Sequence, residues 1–313
     1  MNRLVSIIIP TYNRAALISK TLESIQNQSY KDFECLIVDD GSEDDSEEII
    51  QLFIDSDNRF QFHKRPLNRI KGPNACRNFG FENAKGEFVY FFDSDDFLKP
   101  DALETYINAF KSDTDGVLAQ VERVDRNTGV LQDVNRIDSE NLIEDYFLNK
   151  VCYFVCGVLW KKSYLNQQTE LFDETLGHHD EWDFNLRMIY AKARLVKIHK
   201  PLVIYYQHQN SFKKEIQKAN DVQIESAIKA RLKHLKLLTD QNPSNHKIYS
   251  KHIAHFYKKT VRNKLIAHQK NWFVYYKKAC VLYFKNNSFF SIFKITFGII
   301  LYLLFRKGYS FFN

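Results

Sequence analysis

The sequence predicts an α/β protein in which a sheet is flanked by helices and followed by a helical C-terminal extension. Three observations support this class. Short apolar runs alternate with helix-like segments over the first hundred residues, and polar or acidic residues directly follow several of those runs. From about residue 213 the pattern becomes helical and basic. Strand–helix alternation with connections of this length implies parallel strands that are joined by right-handed crossovers.

The individual elements follow from the period of the apolar residues. Short, near-continuous apolar runs are typical of buried strands, whereas apolar residues three and four apart are typical of helices. Strands are predicted at residues 4–9, 33–38, 59–63, 88–92, 117–121, 151–160 and 203–206, and helices at residues 15–27, 43–53, 75–84 and from residue 180.

An acidic cluster, Asp93, Asp95 and Asp96 with Ser94 between them, directly follows the predicted strand 88–92. Three carboxylates this close repel one another unless a cation lies among them. Hard oxygen ligands suit Mg²⁺ or Mn²⁺, which complete their shells with phosphate oxygens and water. The cluster therefore predicts a metal–diphosphate site. The alternative is that Asp96 or a neighbour caps the helix that starts near Pro100.

Two further polar loops, residues 10–14 and 39–42, follow the first and second predicted strands. The carboxyl ends of parallel strands lie at one edge of a sheet, and ligands bind there in open α/β sheets. We therefore expect these two loops and residues 93–96 to meet at one rim. This convergence is a stronger indication of a binding site than the acidic cluster alone.

Four motifs give the chain a resemblance to a known family. They are VSIIIPTYN at residues 5–13, IVDDGS at 37–42, ACRNFG at 75–80 and GEFVYFFDSDD at 86–96. In this order they resemble the nucleotide-sugar-binding half of the family-2 glycosyltransferases, which have the GT-A fold, a Rossmann-like mixed sheet flanked by helices. The resemblance is close over about the first third of the chain and continues more loosely to about residue 210.

The resemblance implies a nucleotide-diphosphate sugar as donor, with UDP as the family's usual nucleotide. Thr11 and Asp40 would contact the base, with Asp39 beside it; the open alternative for the two aspartates is a turn and a cap for the next helix. Asp93 and Asp95 would hold Mn²⁺ or Mg²⁺ or contact the ribose, and Asp96 is an alternative direct ligand. Arg77 is either a diphosphate contact or a solvated cation on a helix surface. The implied donor-binding residues are Pro10, Thr11, Tyr12, Asn13, Asp39, Asp40, Arg77, Asp93, Ser94, Asp95 and His208.

Residues 180–187 resemble the acceptor-side motif of the family, Glu-Asp-Trp followed by a helix with an Arg, in which the aspartate before the tryptophan is the general base. Here the acidic pair is exchanged, so that Glu181 precedes Trp182 and Asp180 comes first. The resemblance therefore favours Glu181 as the base, with Asp180 as the alternative. A helix N-cap pair without chemistry also stays open. His208 would contact the diphosphate or metal, or be structural; His178 and His179 would line the acceptor pocket or lie exposed.

The C-terminal region, residues 213–313, is predicted to be basic and helical. Residues 229–264 contain ten Lys or Arg and one acidic residue, Asp240. This pattern indicates either a solvated helix face or contact with anionic lipid headgroups; no recognised module supports nucleic-acid binding. The apolar stretch 289–305, interrupted by Lys294, favours peripheral attachment over a membrane span. The remaining alternative is packing on its own domain or on a second subunit.

Together these features predict a metal-dependent, inverting glycosyltransferase that acts on a glycan or polyprenyl-linked acceptor in bacterial surface polysaccharide assembly. Residues 1–212 would form the catalytic domain, with the donor side in 1–100 and the acceptor side in 101–212. The alternative is a non-catalytic nucleotide-sugar-binding or scaffold protein, which the exchanged acidic pair keeps open. The apolar run at residues 4–9 is too short for a secretory signal and is broken by Pro10, so we expect a cytoplasmic protein, peripheral on the inner face of the plasma membrane.

Overall fold

The computed structural model of the protein describes residues 3–177, 179–207, 216, 218–241, 245–307 and 311. The chain divides into two compact units, Met1–His208 and Gln209–Asn313.

The first unit is built on one mixed sheet. Its strand order is β3-β2-β1-β4-β8-β6-β9-β5, and β7 pairs with the outer part of β6. The four strands from β3 to β4 are parallel, β8 runs antiparallel to both of its neighbours, and β9 is parallel to β6. The strands are β1 Val5–Thr11, β2 Phe33–Asp39, β3 Phe60–Lys64, β4 Phe88–Phe91, β5 Phe97–Leu98, β6 Gly116–Asp125, β7 Leu131–Val134, β8 Val158–Lys161 and β9 Leu195–Gln207.

Seven helices connect and cover these strands in the described part of the first unit. The predicted strand–helix alternation of the first hundred residues is confirmed, with element ends shifted by up to three residues. The helices are α1 Ile18–Gln26, α2 Ser46–Ser56, α3 Pro73–Asn83, α4 Ala102–Ala109, α5 Leu142–Phe147, α6 Lys162–Leu165 and α7 Asp180–Tyr190.

Two local predictions in the second half of this unit differ from the structure. The apolar stretch 151–160 is not one strand, because Val155–Gly157 form a 3₁₀ turn and only Val158–Lys161 pair in the sheet. The strand β7 was not predicted, since all four of its residues are exposed and it has no apolar face to produce a pattern. In both places the surrounding sheet, rather than the local sequence, decides the outcome.

Every residue of β1 and β2 is buried, which explains the nearly continuous apolar runs in the sequence. Two of the polar exceptions, Ser6 and Glu34, pair with one another: Ser6 Oγ donates to Glu34 Oε1 at 2.6 Å. The turn before β4 completes this network, because Lys85 N donates to Glu34 and Gly86 N donates to Ser6 Oγ. The network holds that turn directly against the start of β1.

Gly86→Ala is expected to destabilise the first unit by about 1–3 kcal/mol, as overpacking does elsewhere. A Cβ atom there would lie 2.6 Å from the carbonyl oxygen of Leu4 and 2.7 Å from the amide nitrogen of Ser6. Backbone atoms of a central strand cannot move aside cheaply. The free energy of unfolding in urea measures the cost, with Gly177→Ala as the matched control, because a Cβ at Gly177 would meet no atom within 4 Å. Equal losses in the two variants would contradict the assignment.

The described part of the second unit contains four helices longer than one turn. Helix α9 packs against α8 and α10, and α11 packs against α10. The predicted helical character is therefore confirmed. The run Asn242-Pro243-Ser244, where the sequence predicts a break between helices, lies outside the described residues. The helices are α8 Asp221–Gln241, α9 His246–Ile266, α10 Trp272–Lys285 and α11 Phe289–Phe305.

The basic residues of α8 and α9 do not all lie on a solvated face. Lys264 is completely buried, and its Nζ donates to the carbonyl of Ala219 and to the side chains of Asp221 and Gln269. Arg231 and Lys258 are also buried. Three of the ten basic side chains are thus part of the interior of the helical unit. Across the described ranges, no helix combines the length and apolar character needed to cross a bilayer.

Candidate active site

A cavity of about 400 Å³ opens at the carboxyl ends of β1, β2 and β4. The loops after these strands, the start of α3 and the start of α7 all contribute to its wall. The predicted meeting of three polar loops at one rim is therefore present in the structure. The lining residues are Pro10, Thr11, Tyr12, Arg14, Asp40, Pro73, Arg77, Asp93, Ser94, Asp95, Gly177, Asp180 and Tyr205.

The loop after β1 is held in place by the loop after β2. Asn13 has a left-handed backbone with φ of 50°, a conformation that Asn adopts more readily than most residues. Its amide N–H donates to Ser42 Oγ, and its side-chain oxygen accepts from the amide of Glu43, each at 2.9 Å. Arg14 N also donates to Ser46 Oγ at 2.8 Å. Asn13 thus supports the loop from behind and is not among the residues that line the cavity.

Thr11 and Asp40 face the cavity, whereas the carboxylate of Asp39 accepts hydrogen bonds from the turn that follows β2. Asp39 Oδ2 accepts from the amides of Gly41 and Ser42 at 2.9 Å, so its carboxylate shapes the loop after β2. Asp40 is buried and accepts from the guanidinium of Arg65. Thr11 Oγ1 is buried and finds no hydrogen-bond partner among the described residues. A ligand with polar edges would satisfy this hydroxyl.

The side chains of the acidic cluster point in two different directions. Asp93, Ser94 and Asp95 line the cavity, but Asp96 is 2% exposed and points into the protein. Its two carboxylate oxygens accept from Tyr206 N at 3.2 Å and from Cys156 Sγ at 3.6 Å. Burial, together with the charges of Asp95 and Asp93, raises the pKa of Asp96 well above its usual range. Asp96 therefore does not cap the following helix, which begins at Ala102.

The donor set at the cavity fits a hard divalent cation that shares its shell with a ligand. Within the described residues, no three His, Cys, Asp or Glu side chains converge to hold a metal ion by themselves. Mg²⁺ and similar ions are commonly held by one or two carboxylates together with substrate phosphates. Asp93 and Asp95 supply two such carboxylates on one wall of the cavity. The predicted third ligand, Asp96, is not among the cavity-lining residues.

Arg77 links the donor side of the cavity to the start of α7. It is 5% exposed, and its Nη2 donates to Asp93 Oδ1 at 2.7 Å while Nη1 donates to Asp180 Oδ2 at 2.5 Å. The guanidinium also lies over the ring of Phe172, 5.2 Å from its centroid. Burial lowers the pKa of Arg77, but the two carboxylates more than offset this and raise it above the usual range. The alternative of a solvated surface cation is wrong.

The exchanged acidic pair occupies the first turn of α7, with the two side chains in different surroundings. Asp180 lines the cavity and is neutralised by Arg77. Glu181 is partly buried and its Oε2 accepts from the amide of Val155 at 2.9 Å. Burial above all, and then Asp93 and Asp180, raise the pKa of Glu181 to about 8. Since both carboxylates make long-range contacts, capping of their own helix does not account for them.

Several lining residues were not predicted from the sequence. Arg14 lies in a loop that the sequence singled out, and its Nη2 is 3.7 Å from Asp95 Oδ2. Tyr205 belongs to β9, which pairs with β6 on one side and, on the other, with β5, the short strand that follows the acidic cluster. Pro73 and Gly177 have no functional group that would have indicated a binding role in the sequence, only the turn-forming character of proline and glycine. His208, a predicted diphosphate or metal contact, and His178, a candidate for the acceptor pocket, both lie outside the described residues.

The comparisons with known proteins agree with this fold. The sequence model described as glycosyl transferase family 2 matches residues 6–183, more than half of the chain. The chain belongs to this family. The curated relatives are matched only in part, since the chain spans 41%, 64% and 32% of the length of three of them. One relative, 43% identical over 100 residues and matched over 32% of each chain, is the GalNAc(5)-diNAcBac-PP-undecaprenol beta-1,3-glucosyltransferase of Campylobacter jejuni.

Solved structures share the GT-A fold with this chain. Residues 1–349 of S. aureus TarS, in complex with UDP-GlcNAc, match 93% of this chain and 90% of their own at a TM-score of 0.58 and 18% identity. The mannosyltransferase PcManGT from Pyrobaculum calidifontis, in complex with GDP-Man and Mn²⁺, matches 97% of this chain and 88% of its own at a TM-score of 0.55 and 15% identity. The fold predicted from the four motifs is confirmed.

Proposed function

We propose that this protein is an inverting glycosyltransferase that moves a sugar from a nucleotide-diphosphate sugar, with UDP as the expected nucleotide, to an acceptor hydroxyl. The observation that carries the proposal is that Thr11, Asp40, Asp93, Asp95 and Asp180 converge on one cavity. Its wall combines a hydroxyl that needs a partner with several carboxylates and Arg14. A nucleotide, a diphosphate with its cation, and a sugar require this combination.

In this proposal the donor lies across the ends of the parallel strands. Asp40 and Thr11 contact the nucleobase, because a buried acceptor and a buried hydroxyl discriminate among bases when either would otherwise stay unpaired. Asp93 and Asp95 would hold Mn²⁺ or Mg²⁺ beside the diphosphate. When bound, the cation stabilises negative charge on the departing diphosphate.

Glu181 is the proposed general base. It is only partly buried and directly follows Asp180, which lines the cavity but is held in an ion pair with Arg77. Burial raises the pKa of Glu181, so that once ionised it is a stronger base than an ordinary carboxylate. A base takes the proton from the acceptor hydroxyl as the hydroxyl oxygen bonds to the anomeric carbon and the bond to the diphosphate breaks. One displacement of this kind inverts the configuration at that carbon and needs no nucleophilic residue of the protein.

The expected acceptor is a glycan or a polyprenyl-linked sugar of bacterial surface polysaccharide assembly, encountered at the inner face of the plasma membrane. The support is the partial similarity to a relative whose name includes an undecaprenol-linked substrate. The proposal is that the two proteins share this class of acceptor.

A thermal-shift screen tests the donor site. With Mn²⁺, a matching nucleotide sugar at about a hundred times its Kd should raise Tm by about 5 °C or more, because it binds only the folded chain. The panel contains UDP-GlcNAc, UDP-Glc, UDP-Gal, UDP-GalNAc and GDP-Man, each with and without EDTA. Asp95→Asn should lose the manganese-dependent part of the shift, and Asp113→Asn, a change at an exposed carboxylate, should keep it.

Turnover is then followed as release of the nucleoside diphosphate from the donor that gives a shift. Release that depends on Mn²⁺ or Mg²⁺ supports the enzyme. Binding without release for every donor, with water or simple glycans as acceptor, would favour a nucleotide-sugar-binding scaffold instead. No shift with any donor would remove the proposed site altogether.

A further inference from the structure

The helical hairpin of α10 and α11 carries an unusually apolar exposed surface. On α11, Phe289, Phe293, Phe297, Ile300 and Leu304 follow one another at intervals of four or three residues, so they share one side of the helix, and all five are exposed. The opposite side is buried within the helical unit. Helix α11 is therefore apolar on both sides, but only one of them is covered by the described residues.

Exposed residues of α10 continue this surface. Phe273, Lys277, Val281 and Phe284 share one side of α10 at the same spacing. Phe284 and Phe289 are in edge-to-face contact, with ring centroids 5.6 Å apart, at the turn between the helices. The exposed apolar side chains of the two helices thus meet at this turn. We call these nine residues and Phe290 the hairpin face.

The hairpin face is too large for an incidental patch on a soluble protein. Phe290 is 75% exposed, Leu304 68% and Phe293 64%, among ten neighbouring side chains of which only Lys277 is polar. Soluble monomers rarely leave contiguous apolar patches beyond a few hundred Å² uncovered, and larger ones mark contact sites. An occupant that is itself apolar is therefore required.

The charge of the surrounding chain identifies the chemistry of that occupant. Residues 241–313 contain thirteen Lys or Arg and no Asp or Glu. Lys277, Lys278 and Lys285 are exposed on α10, and Arg306 and Lys307 are exposed just after α11. A second copy of this region would bring like charges together around the apolar contact, whereas anionic lipid headgroups would neutralise them.

We propose that the hairpin face docks the protein on an anionic lipid bilayer, with α10 and α11 lying in the interface. The aromatic and aliphatic side chains would enter the acyl boundary, and the lysines would extend to the headgroups. Helix α11 has 17 residues and Lys294 at its sixth position, which suits a helix in the interface plane. This inference concerns attachment alone and does not depend on the proposed donor, metal or reaction.

Flotation of the full chain with lipid vesicles tests the inference. The protein should float with phosphatidylcholine vesicles that contain phosphatidylglycerol, bind pure phosphatidylcholine at least about tenfold more weakly, and dissociate as salt is added. Phe290→Ser/Phe293→Ser/Leu304→Ser should weaken binding at least about a hundredfold, since three apolar side chains that would enter the bilayer are lost. Lys277→Glu/Lys285→Glu should weaken it at least about tenfold.

The matched control is Leu52→Ser/Leu67→Ser, two highly exposed leucines of the first unit, which should bind vesicles as the wild type does. All the substituted side chains, the two lysines included, are exposed. Circular dichroism and Tm should therefore stay unchanged in every variant. Wild-type binding by the triple variant would overturn the inference. A wild-type dimer that the triple variant dissociates would assign the face to a second copy, and binding to duplex DNA in place of vesicles would assign the basic region to nucleic acid.

Discussion

Arg77→Met should abolish sugar transfer and destabilise the first unit by about 3–5 kcal/mol, the largest combined effect that we expect from one substitution. The Arg77 guanidinium is buried between Asp93 and Asp180 and donates a hydrogen bond to each. Its removal leaves two neighbouring carboxylates without the buried cation that they share, and removing one partner of such a buried pair is strongly destabilising. Since Asp93 is a proposed cation ligand and Asp180 begins the helix of the proposed base, both halves of the site should lose their relative position.

The measurement combines urea denaturation with release of nucleoside diphosphate. Lys64→Met is the control, because it breaks an ion pair with Glu47 in which both side chains are more than half exposed, and such pairs contribute little. Arg77→Lys separates charge from geometry: one ammonium can neutralise the pair but cannot reproduce the two-pronged contact. It should recover part of the stability and little of the activity. Full activity in Arg77→Met would refute the positioning role.

Glu181→Gln should lower kcat about 10²- to 10⁴-fold, the usual contribution of a general base, and leave donor binding intact. Glutamine keeps the side-chain oxygen that accepts from Val155 N, so the start of α7 should hold its place. The thermal shift with donor and Mn²⁺ should therefore equal that of the wild type. Unchanged kcat in Glu181→Gln together with a large loss in Asp180→Asn would transfer the role to Asp180.

Glu181→Gln should also remove a pH-dependent loss of stability, because glutamine does not titrate. The pKa of Glu181 is raised from about 4.5 to about 8 in the folded chain, so the folded state holds this proton more tightly than the unfolded state. Wild-type stability relative to Glu181→Gln should then fall as pH rises from about 4.5 to about 8 and level off above that. Each pKa unit is worth about 1.4 kcal/mol, so the total should be a few kcal/mol. Urea titrations in EDTA at several pH values measure this difference, and a flat difference would contradict the raised pKa.

The sequence predicted the rim of the cavity well because strand ends are local features. The apolar runs that end at Ile9, Val38 and Phe92 identify the strands, and parallel pairing places their polar ends together. The roles of individual carboxylates were less accessible. Asp96 was a candidate ligand, but the turn after β4 directs it toward Cys156 and Tyr206, a contact across 60 and 110 residues of sequence.

The amino-acid order by itself determined the strand–helix alternation, the family motifs and the basic, helical character of the C-terminal region, since each of these is written in the spacing of neighbouring residues. Only the tertiary structure decided that Arg77 is an internal bridge, that Asp180 rather than Glu181 lines the cavity, and that α11 buries one apolar side and exposes the other. These outcomes depend on contacts between residues about a hundred positions apart or on the packing of whole helices. No local pattern encodes which of several similar side chains the folded chain will bring together.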